Sequence, residues 1–290
     1  MKRTTLFITS LVLMTSVTFS QNKVNINNLV QYGDKWFKEN DDFPFSGMVF
    51  DLDRKTGNKI LECGYKNGQM NGKYTEWYED GTLKIEGFNK SGKMERSWTY
   101  YHENGKKKGE GSFVNGDGGD VGDTGIPRNG RNSMWTFYFN NGNKNQEVEY
   151  KNGQPGGSFK QWFSNDIMEV KGFYKDGLQD SLWTVWNEDG QKRYERTLKD
   201  GKKNGLFTWW YENGQKGLES TYKDEVLDGK YTDWNENGQK MFEGTYKDGK
   251  KNGLWTWWYE NGQKKYEWNY KNGKMTGLRT EWDKDGNIIE

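Results

Sequence analysis

The sequence predicts an all-β fold, an elongated, twisted antiparallel meander of tandem 24-residue β-hairpin repeats. Three observations predict it: two series of turn residues with one period, an aromatic-rich composition, and aromatic residues in fixed register. The first turn series comprises Gly57, Gly81, Gly105, Gly142, Gly190, Gly214, Gly238, Gly262 and Gly286, with Asp166 in its single gap. The second, 11 residues behind, comprises Gly68, Gly92, Gly116, Gly153, Gly177, Gly201, Gly249 and Gly273, with Glu225 where a glycine is expected.

The two turns of each period predict two strands per repeat. Asn-Gly or Asp-Gly between aromatic-rich runs is the strongest short-range hairpin signal, because both central residues of a type I′ turn need positive φ. Copies of one such turn are 65–68, 150–153, 246–249 and 270–273. About eighteen strands, roughly 4.8 Å apart and each twisted by about 20°, would extend on the order of 85 Å.

The composition predicts a folded chain with an aromatic core. Aromatic residues make up 16% of the chain, about half of the 31% that is hydrophobic. Disordered chains are poor in aromatic residues, whereas this chain has 15 Trp, 17 Tyr and 15 Phe. Aliphatic residues are too few for an ordinary two-layer core, so the aromatic residues must form it.

The N-terminal region departs from the repeat pattern. Residues 1–20 have the features of a secretory signal, with Lys2 and Arg3 before an apolar stretch and Ser20 before the expected cut. Residues 21–45 lack the period and are expected to form an N-terminal cap, and residues 46–290 form the repeat array. The mature chain is therefore expected to be exported, to the periplasm, the cell surface or the extracellular space.

The charge balance argues against nucleic acid and anionic membranes as partners. Removal of the signal segment takes away Lys2 and Arg3, two of the 43 basic residues. The mature chain then has 41 basic and 42 acidic residues, a formal net charge of −1. Binding to polyanions depends on an excess of basic residues. We expect no nucleic-acid partner and no membrane association after signal cleavage.

Strand alternation places two aromatic columns on opposite faces of the sheet. The first column comprises Trp77, Tyr101, Tyr138, Trp162, Trp186, Trp210, Trp234, Trp258 and Trp282. The second, three residues earlier, comprises Tyr74, Trp98, Trp135, Phe159, Trp183, Phe207, Tyr231 and Trp255, and ends with Arg279. Most of these rings are expected to stack on their equivalents in the next repeat. An exposed stripe would be a binding surface, and its candidates are Trp162, Trp186, Trp210, Trp234, Trp258 and Trp282.

A column of glutamates follows the same period. It comprises Glu62, Glu86, Glu110, Glu147, Glu195, Glu219, Glu243 and Glu267, with Lys171 as the exception. Eight regular carboxylates beside many lysines are expected to be cross-strand ion-pair or hydrogen-bond partners rather than general acids.

Residues for catalysis are scarce. The single histidine, His102, stands where other repeats have Tyr78, Phe139 or Tyr211, so it is expected to substitute for an aromatic ring. The single cysteine, Cys63, stands where other repeats have glycine or serine, and one thiol forms no disulfide within the chain. No nucleophile–base pair and no Cys/His zinc site can be assembled from these residues. We expect no enzymatic activity and no cofactor.

Residues 117–129 are a 13-residue insertion between two repeats. Its glycine-rich part contains Asp117, Asp120 and Asp123, whose carboxylates could supply oxygen ligands to calcium. The spacing does not match an EF-hand loop, so a solvated flexible loop is expected and a calcium site is the alternative.

The repeat unit resembles a known family. Residues 236–240, 243–250 and 252–255 read Glu-Asn-Gly-Gln-Lys, Glu-Gly-Thr-Tyr-Lys-Asp-Gly-Lys and Asn-Gly-Leu-Trp, which is similar to the MORN repeat variant of bacterial YwqK-like, antitoxin-labelled proteins. The resemblance covers residues 45–290. It implies an extended β-hairpin array that mediates contacts, and it implies no catalytic residues.

Two functions fit these features. The first is a non-enzymatic scaffold or binding module for an unidentified protein partner, which should tolerate the loss of any single Trp. The second is a carbohydrate-binding surface protein, in which a few exposed Trp or Tyr rings stack on sugars. An antitoxin or immunity role, implied by the resemblance, is a third and weaker alternative.

Overall fold

A computed structural model describes residues 22–289 of the chain. Within this range it contains 22 β-strands and one 3-10 turn at Ile26–Asn28, so the all-β prediction is confirmed. No helix in these residues is long and apolar enough to cross a membrane. The expected signal segment and its cut before Gln21 lie outside the described residues.

The strands are β1 (Lys23–Asn25), β2 (Leu29–Tyr32), β3 (Lys35–Lys38), β4 (Gly47–Leu52), β5 (Lys59–Lys66), β6 (Gln69–Trp77), β7 (Leu83–Lys90), β8 (Lys93–Tyr101), β9 (Lys107–Gly116), β10 (Arg131–Tyr138), β11 (Lys144–Lys151), β12 (Gln154–Trp162), β13 (Met168–Lys175), β14 (Leu178–Trp186), β15 (Lys192–Lys199), β16 (Lys202–Trp210), β17 (Lys216–Lys223), β18 (Val226–Trp234), β19 (Lys240–Lys247), β20 (Lys250–Trp258), β21 (Lys264–Lys271) and β22 (Lys274–Glu281).

Strands β4 to β22 form one antiparallel meander in which each strand pairs with its neighbours in the chain. The turns have the predicted form: Asn67 and Gly68 have φ of 52° and 79°, as a type I′ turn requires. The tandem hairpin architecture is therefore confirmed.

The N-terminal region adds one feature that the turn pattern does not predict. Strand β1 pairs with β4 in parallel, with Val24 opposite Val49, and so covers the first edge of the meander. Strands β2 and β3 form a separate hairpin. Leu29 and Phe45 are buried against Val49 and Cys63 in a small cluster of their own. Residues 22–45 thus occupy the open end of the first repeat.

The core lies on one face of the sheet, which we call the core face; it carries the column from Tyr74 to Trp255. Trp135 and Trp255 are fully buried, and Trp98 and Trp183 are nearly so. Three pairs of consecutive column members have their rings in contact at a tilt: Tyr74 with Trp98, Phe159 with Trp183, and Tyr231 with Trp255, with centroids 5.4, 5.3 and 6.1 Å apart. These contacts show which face is covered, a point that the sequence leaves open.

Ring size in this column matches the residue on the preceding strand. All four tryptophans lie against a glycine, where an added Cβ would meet the indole at 2.0–2.3 Å; the pairs are Trp98 on Gly87, Trp135 on Gly111, Trp183 on Gly172 and Trp255 on Gly244. The smaller rings lie against larger residues; these pairs are Tyr74 with Cys63, Phe159 with Val148, Phe207 with Arg196 and Tyr231 with Ser220. Two facing positions therefore share one volume, as close packing requires.

Most residues of the insertion are exposed, as the prediction of a solvated loop requires, but the prediction is wrong at Ile126, which packs on the core face. Ile126 is fully buried, and its side chain fills the space above Gly109, where an added Cβ would lie 2.7 Å from Ile126 Cδ1. The buried Arg131 guanidinium donates to the carbonyl oxygens of Ile126 and Pro127, both at 2.8 Å, and to the Tyr150 hydroxyl at 3.0 Å. The insertion is thus anchored to the core through Ile126 and Arg131, and most of its residues are exposed.

Candidate interaction surface

The column from Trp77 to Trp282 lies on the opposite side of the sheet, which we call the Glu–Thr face. The six predicted binding residues on this face are all half-buried; they are Trp162, Trp186, Trp210, Trp234, Trp258 and Trp282. They take the same position in every second strand, so neighbouring rings are about 10 Å apart across the sheet. The structure therefore brings the six predicted residues together as one regular stripe.

A row of glutamates and threonines runs beside this stripe. Directly opposed residues alternate from strand to strand, as in the sequence Glu195, Thr208, Glu219. The full row is Glu62, Thr75, Glu86, Thr99, Glu110, Thr136, Glu147, Lys160, Lys171, Thr184, Glu195, Thr208, Glu219, Thr232, Glu243, Thr256, Glu267 and Thr280. The threonines are largely buried, and some donate to the next carboxylate, as Thr256 Oγ1 does to Glu267 at 2.9 Å.

Seven of the eight glutamates also have a lysine beside them, and the exception is Glu86, which has Leu83 at that position. Seven Lys–Glu pairs, three residues apart in one strand, form ion pairs; six of them are 2.5–2.8 Å long, and the seventh joins Lys59 and Glu62. In a regular strand, side chains three residues apart point to opposite faces and could not form an ion pair. A β-bulge between the lysine and the glutamate brings both side chains to the same face. In one repeat Trp234 pairs with Lys240 and Asp233 with Phe242, so Met241 is the extra residue of the bulge. The predicted ion pairing thus runs mainly along strands rather than across them.

The same lysine lies over the tryptophan of the following repeat. Its ammonium is 5.4–6.0 Å from the ring centroid in six copies; these are Lys59 with Trp77, Lys144 with Trp162, Lys192 with Trp210, Lys216 with Trp234, Lys240 with Trp258 and Lys264 with Trp282. In the described residues no ring of this column stacks on its equivalent. The expectation of ring stacking is therefore met by three pairs on the core face and is wrong for the Trp77–Trp282 column, whose rings are about 10 Å apart.

Tyrosine at a column position makes a different contact. Tyr101 and Tyr138 donate to Glu86 and Glu110 at 2.7 and 2.6 Å. Burial, with the hydrogen bond to Glu86, raises the pKa of Tyr101 to about 12. Burial alone would raise the pKa of Glu110, but hydrogen bonds from Lys107 and Tyr138 bring it below its ordinary value. Glu110 is consequently a charged hydrogen-bond acceptor at neutral pH.

The pattern breaks in one repeat. Lys160 and Lys171 face each other where other repeats have Thr and Glu, and Met168 stands where the ring-capping lysine is expected. Trp186 therefore carries no lysine over its ring in the described structure. Lys160 lies 3.5 Å from Glu147, whereas Lys171 is exposed and makes no ion pair among residues 22–289. The sequence alone shows that Lys171 is an exception in the glutamate column. The strand register is needed to see that Lys160 faces Lys171 and that Met168 replaces the lysine over the ring.

His102 and Cys63 have structural positions. His102 Nε2 lies 3.3 Å from the carbonyl oxygen of Tyr138 in the next repeat. Tyr211, at the equivalent position of another repeat, makes the same contact: its hydroxyl donates to the carbonyl oxygen of Trp234 in the next repeat at 2.9 Å. Cys63 is buried, and desolvation raises the pKa of its thiol to about 12. Neither residue has the surroundings of a nucleophile or its base.

Two of the three insertion aspartates have separate partners, and these two are Asp117 and Asp120. Asp117 accepts from the Gly119 amide at 2.8 Å and from Asn129 at 3.2 Å, and Asp120 lies 4.0 Å from Arg128. In the part of the chain that is described, no group of three or more His, Cys, Asp or Glu side chains is placed to hold a metal ion.

The Glu–Thr face is chemically suited to binding. Half-exposed indoles supply large, rigid apolar area, and the flanking Lys–Glu pairs supply directional polar contacts at their edges. Such a surface can hold an extended partner across several repeats, since every repeat offers the same group.

Comparison with known families supports the repeat assignment. Six segments match the model of the MORN repeat variant: residues 70–90, 97–115, 132–152, 203–224, 227–248 and 251–272. The chain thus carries six repeats of this variant. The unmatched stretch 153–202 contains Lys160, Met168, Lys171 and Trp186, the residues of the break. No curated protein matches the chain, and its likeness to YwqK-like proteins is not supported by any relative.

Solved structures add little. Two crystal structures are similar in part, those of TcdB2-TccC3-TEV and TcdB2-TccC3-Cdc42, at 9% and 11% sequence identity. Each covers 81% of this chain, but the chain spans only 14% of either one, with TM-scores of 0.22 and 0.19. Likeness at this level carries no argument about function.

Proposed function

We propose that the chain is an exported, non-enzymatic binding module that acts as a protein-interaction scaffold through its Glu–Thr face. The observation that carries the proposal is the stripe of six half-exposed tryptophans at equal spacing, each beside a threonine–glutamate row. A stripe of this length offers many equivalent contacts, so affinity comes from their number rather than from one pocket.

The break in the row supplies selectivity. Lys160 and Lys171 add two positive charges where the rest of the row alternates Glu with Thr, and Trp186 beside them lacks the lysine cap. An acidic segment of the partner fits this position, because it would neutralise Lys171 and lie against the Trp186 ring. The regular repeats on either side then extend the contact.

A pull-down with the chain from residue 21 onward tests this proposal. The bait is compared with a variant in which Trp162, Trp186, Trp210, Trp234, Trp258 and Trp282 are all alanine, and with the row-restoring double variant Lys160→Thr/Lys171→Glu. A partner retained by the wild type should be lost with the first variant and weakened about tenfold or more with the second. Equal recovery by all three baits, each shown to be folded by circular dichroism, would refute the surface assignment.

Carbohydrate binding is a second candidate, favoured by Trp186. Its ring has no lysine over it, and half-exposed rings flanked by hydrogen-bonding side chains are the usual platforms for sugars. A glycan array separates the two functions. Saturable glycan binding that Trp186→Ala alone abolishes supports a sugar site, whereas no binding to any glycan removes this candidate.

Export is the remaining part of the proposal. It rests on the basic and apolar pattern of residues 1–20. Mass spectrometry of the N-terminus of protein recovered from its native host should identify Gln21 as the first residue. An intact N-terminus in the cytoplasmic fraction would contradict export and leave the binding proposal unaffected.

A further inference from the structure

Two repeats lack the ring that the others have in one column, and one of these two has a polar residue in its place. The residue three positions before the second turn glycine is aromatic or leucine in all repeats but one; the column is Tyr65, Asn89, Phe113, Tyr150, Tyr174, Leu198, Tyr222, Tyr246 and Tyr270. Asn89 keeps the register of the others, opposite Met94 as Tyr65 is opposite Met70 and Tyr270 is opposite Met275. The backbone is therefore unchanged and only the ring is absent.

The missing ring has a defined place in the other repeats. Tyr174 packs edge-on between Phe159 and Trp183, with centroids 5.5 and 5.1 Å away and interplanar angles of 80° and 85°. Tyr246 packs in the same way between its two column neighbours, at 5.4 and 5.1 Å. A third ring that meets two stacked rings by its edge is a favourable aromatic arrangement.

At Asn89 the two stacked rings are present without the third. Tyr74 and Trp98 lie 5.4 Å apart, as Phe159 and Trp183 do at 5.3 Å. The space beside them is a cavity of about 360 Å³. Its walls are Met70, Tyr74, Ile85, Met94, Trp98 and Tyr100.

The 117–129 insertion forms the remaining side of this cavity. Asp117, Val121 and Pro127 line it. The inserted segment is anchored by the buried Ile126 and by the Arg131 hydrogen bonds, so its position is fixed by the core. The two departures from the repeat, the lost ring and the inserted loop, thus occur at the same place.

Asn89 lies in the wall that the sheet gives to this cavity. The residue is only 4% exposed, and its carboxamide makes no hydrogen bond to another described residue. The carboxamide is therefore free to bond to a ligand in the cavity. A carboxamide both donates and accepts, so it matches a hydroxyl group.

We infer that this cavity is a binding site for a small phenol-like molecule, an aromatic ring bearing a hydroxyl group. The ring takes the place that Tyr174 and Tyr246 fill in their repeats, edge-on to Tyr74 and Trp98, and the hydroxyl bonds to the Asn89 carboxamide. The volume lies within the range of small-molecule sites. The cavity is on the core face, so this site is independent of the proposed function.

Ligand-observed fluorine NMR with 4-fluorophenol tests the site on the chain from residue 21 onward. The wild type should bind it saturably, and more tightly than fluorobenzene, which lacks the hydroxyl. Asn89→Ala should reduce the affinity for 4-fluorophenol about tenfold while changing that for fluorobenzene far less.

Asn89→Tyr is the decisive variant because the fold already accepts tyrosine at this position in other repeats. It should abolish binding of both probes and keep or raise the melting temperature. Leu178→Tyr, which adds a phenol at a half-exposed site outside the cavity, is the matched control and should bind like the wild type. No binding by the wild type, or unchanged binding by a folded Asn89→Tyr protein, would overturn the inference.

Discussion

At the scale of single residues, the core depends on glycines that make room for tryptophan. Trp98 is held in place on two sides: its ring covers Gly87, and its indole N–H donates to the carbonyl oxygens of Glu95 and Phe88 at 3.1 and 3.2 Å. The ladder shifts register between Glu86 and Phe88, and this bulge frees the Phe88 carbonyl for the indole. A side chain at position 87 would therefore meet a ring that cannot move.

Gly87→Ala should lower the free energy of unfolding by about 2–3 kcal/mol, because its Cβ would lie 2.0 Å from the Trp98 ring. Gly156→Ala is the control, since its Cβ would make only ordinary contacts at 3.8 Å or more. Urea denaturation measures both. Adding Trp98→Phe to Gly87→Ala should recover part of the loss, as Phe159 tolerates Val148. Equal costs for the two alanine variants would show that the shared-volume rule is wrong.

The residue scale also shows what a sequence can reveal and what it cannot. The turn glycines and the two aromatic columns are visible as a period, because one chemical requirement recurs in every copy. The fit of Trp98 on Gly87 and the cap of Lys240 on Trp258 are not visible, because each joins strands whose register depends on bulges. Departures such as Asn89 stand out in the sequence, but their meaning needs the neighbouring rings.

At the scale of elements, the insertion 117–129 is joined to the sheet through one buried cation. The Arg131 guanidinium lies 4.9 Å from the Trp135 ring centroid and 5.2 Å from that of Tyr150, and burial lowers its pKa from the ordinary value. The equivalent Lys203 stacks on Tyr222 at 4.9 Å in a repeat without an insertion. Three repeats thus place a cation over core rings at this position, with Arg131, Lys203 and Lys251, and in the first of them the cation also holds the insertion.

Arg131→Gln should destabilise the protein by about 3 kcal/mol or more, since it leaves the Ile126 and Pro127 carbonyl oxygens without their donor. Lys203→Gln, which breaks only a cation–ring contact, should cost less than about 1 kcal/mol. Thermal unfolding compares them. Hydrogen exchange in residues 117–129 should rise in the first variant alone, and an unchanged exchange rate there would contradict the anchoring role.

At the scale of the whole molecule, an aromatic core rich in tyrosine gives the stability a defined pH dependence. Burial raises the pKa of Tyr101 and of Tyr231 to about 12, from an ordinary value of 10.0. It raises those of Tyr65, Tyr74 and Tyr100 further. A raised folded-state pKa contributes stability that is complete below the unfolded value and is lost as the pH rises through the folded one.

The free energy of unfolding should accordingly be level from neutral pH to about pH 10 and fall steeply between about pH 10 and 12. At the acid end, Glu62 and Glu147 have lowered pKa values, so their contribution is lost as the pH falls below 4.5. Urea denaturation at a series of pH values measures the free energy of unfolding in both the alkaline and the acid range. Stability that is flat to pH 12 would show that the buried tyrosines do not titrate on unfolding.

The whole molecule also shows the limit of sequence prediction for the site. Six tryptophans were predictable as one stripe from their spacing, and the structure places them on the face that the core leaves uncovered. Which face that is could not be predicted, since both faces carry aromatic columns. The Lys160–Lys171 break could not be predicted as a pair either, because it needs the register of two adjacent strands.

The central claim is that the stripe on the Glu–Thr face binds a partner through many equivalent contacts. Its most direct test is the affinity for the captured partner as tryptophans are replaced by alanine one, three and six at a time. Any single replacement, such as Trp234→Ala, should weaken binding by less than about fivefold, and replacement of all six by more than about a hundredfold. Unchanged affinity in a folded six-alanine variant would contradict the claim.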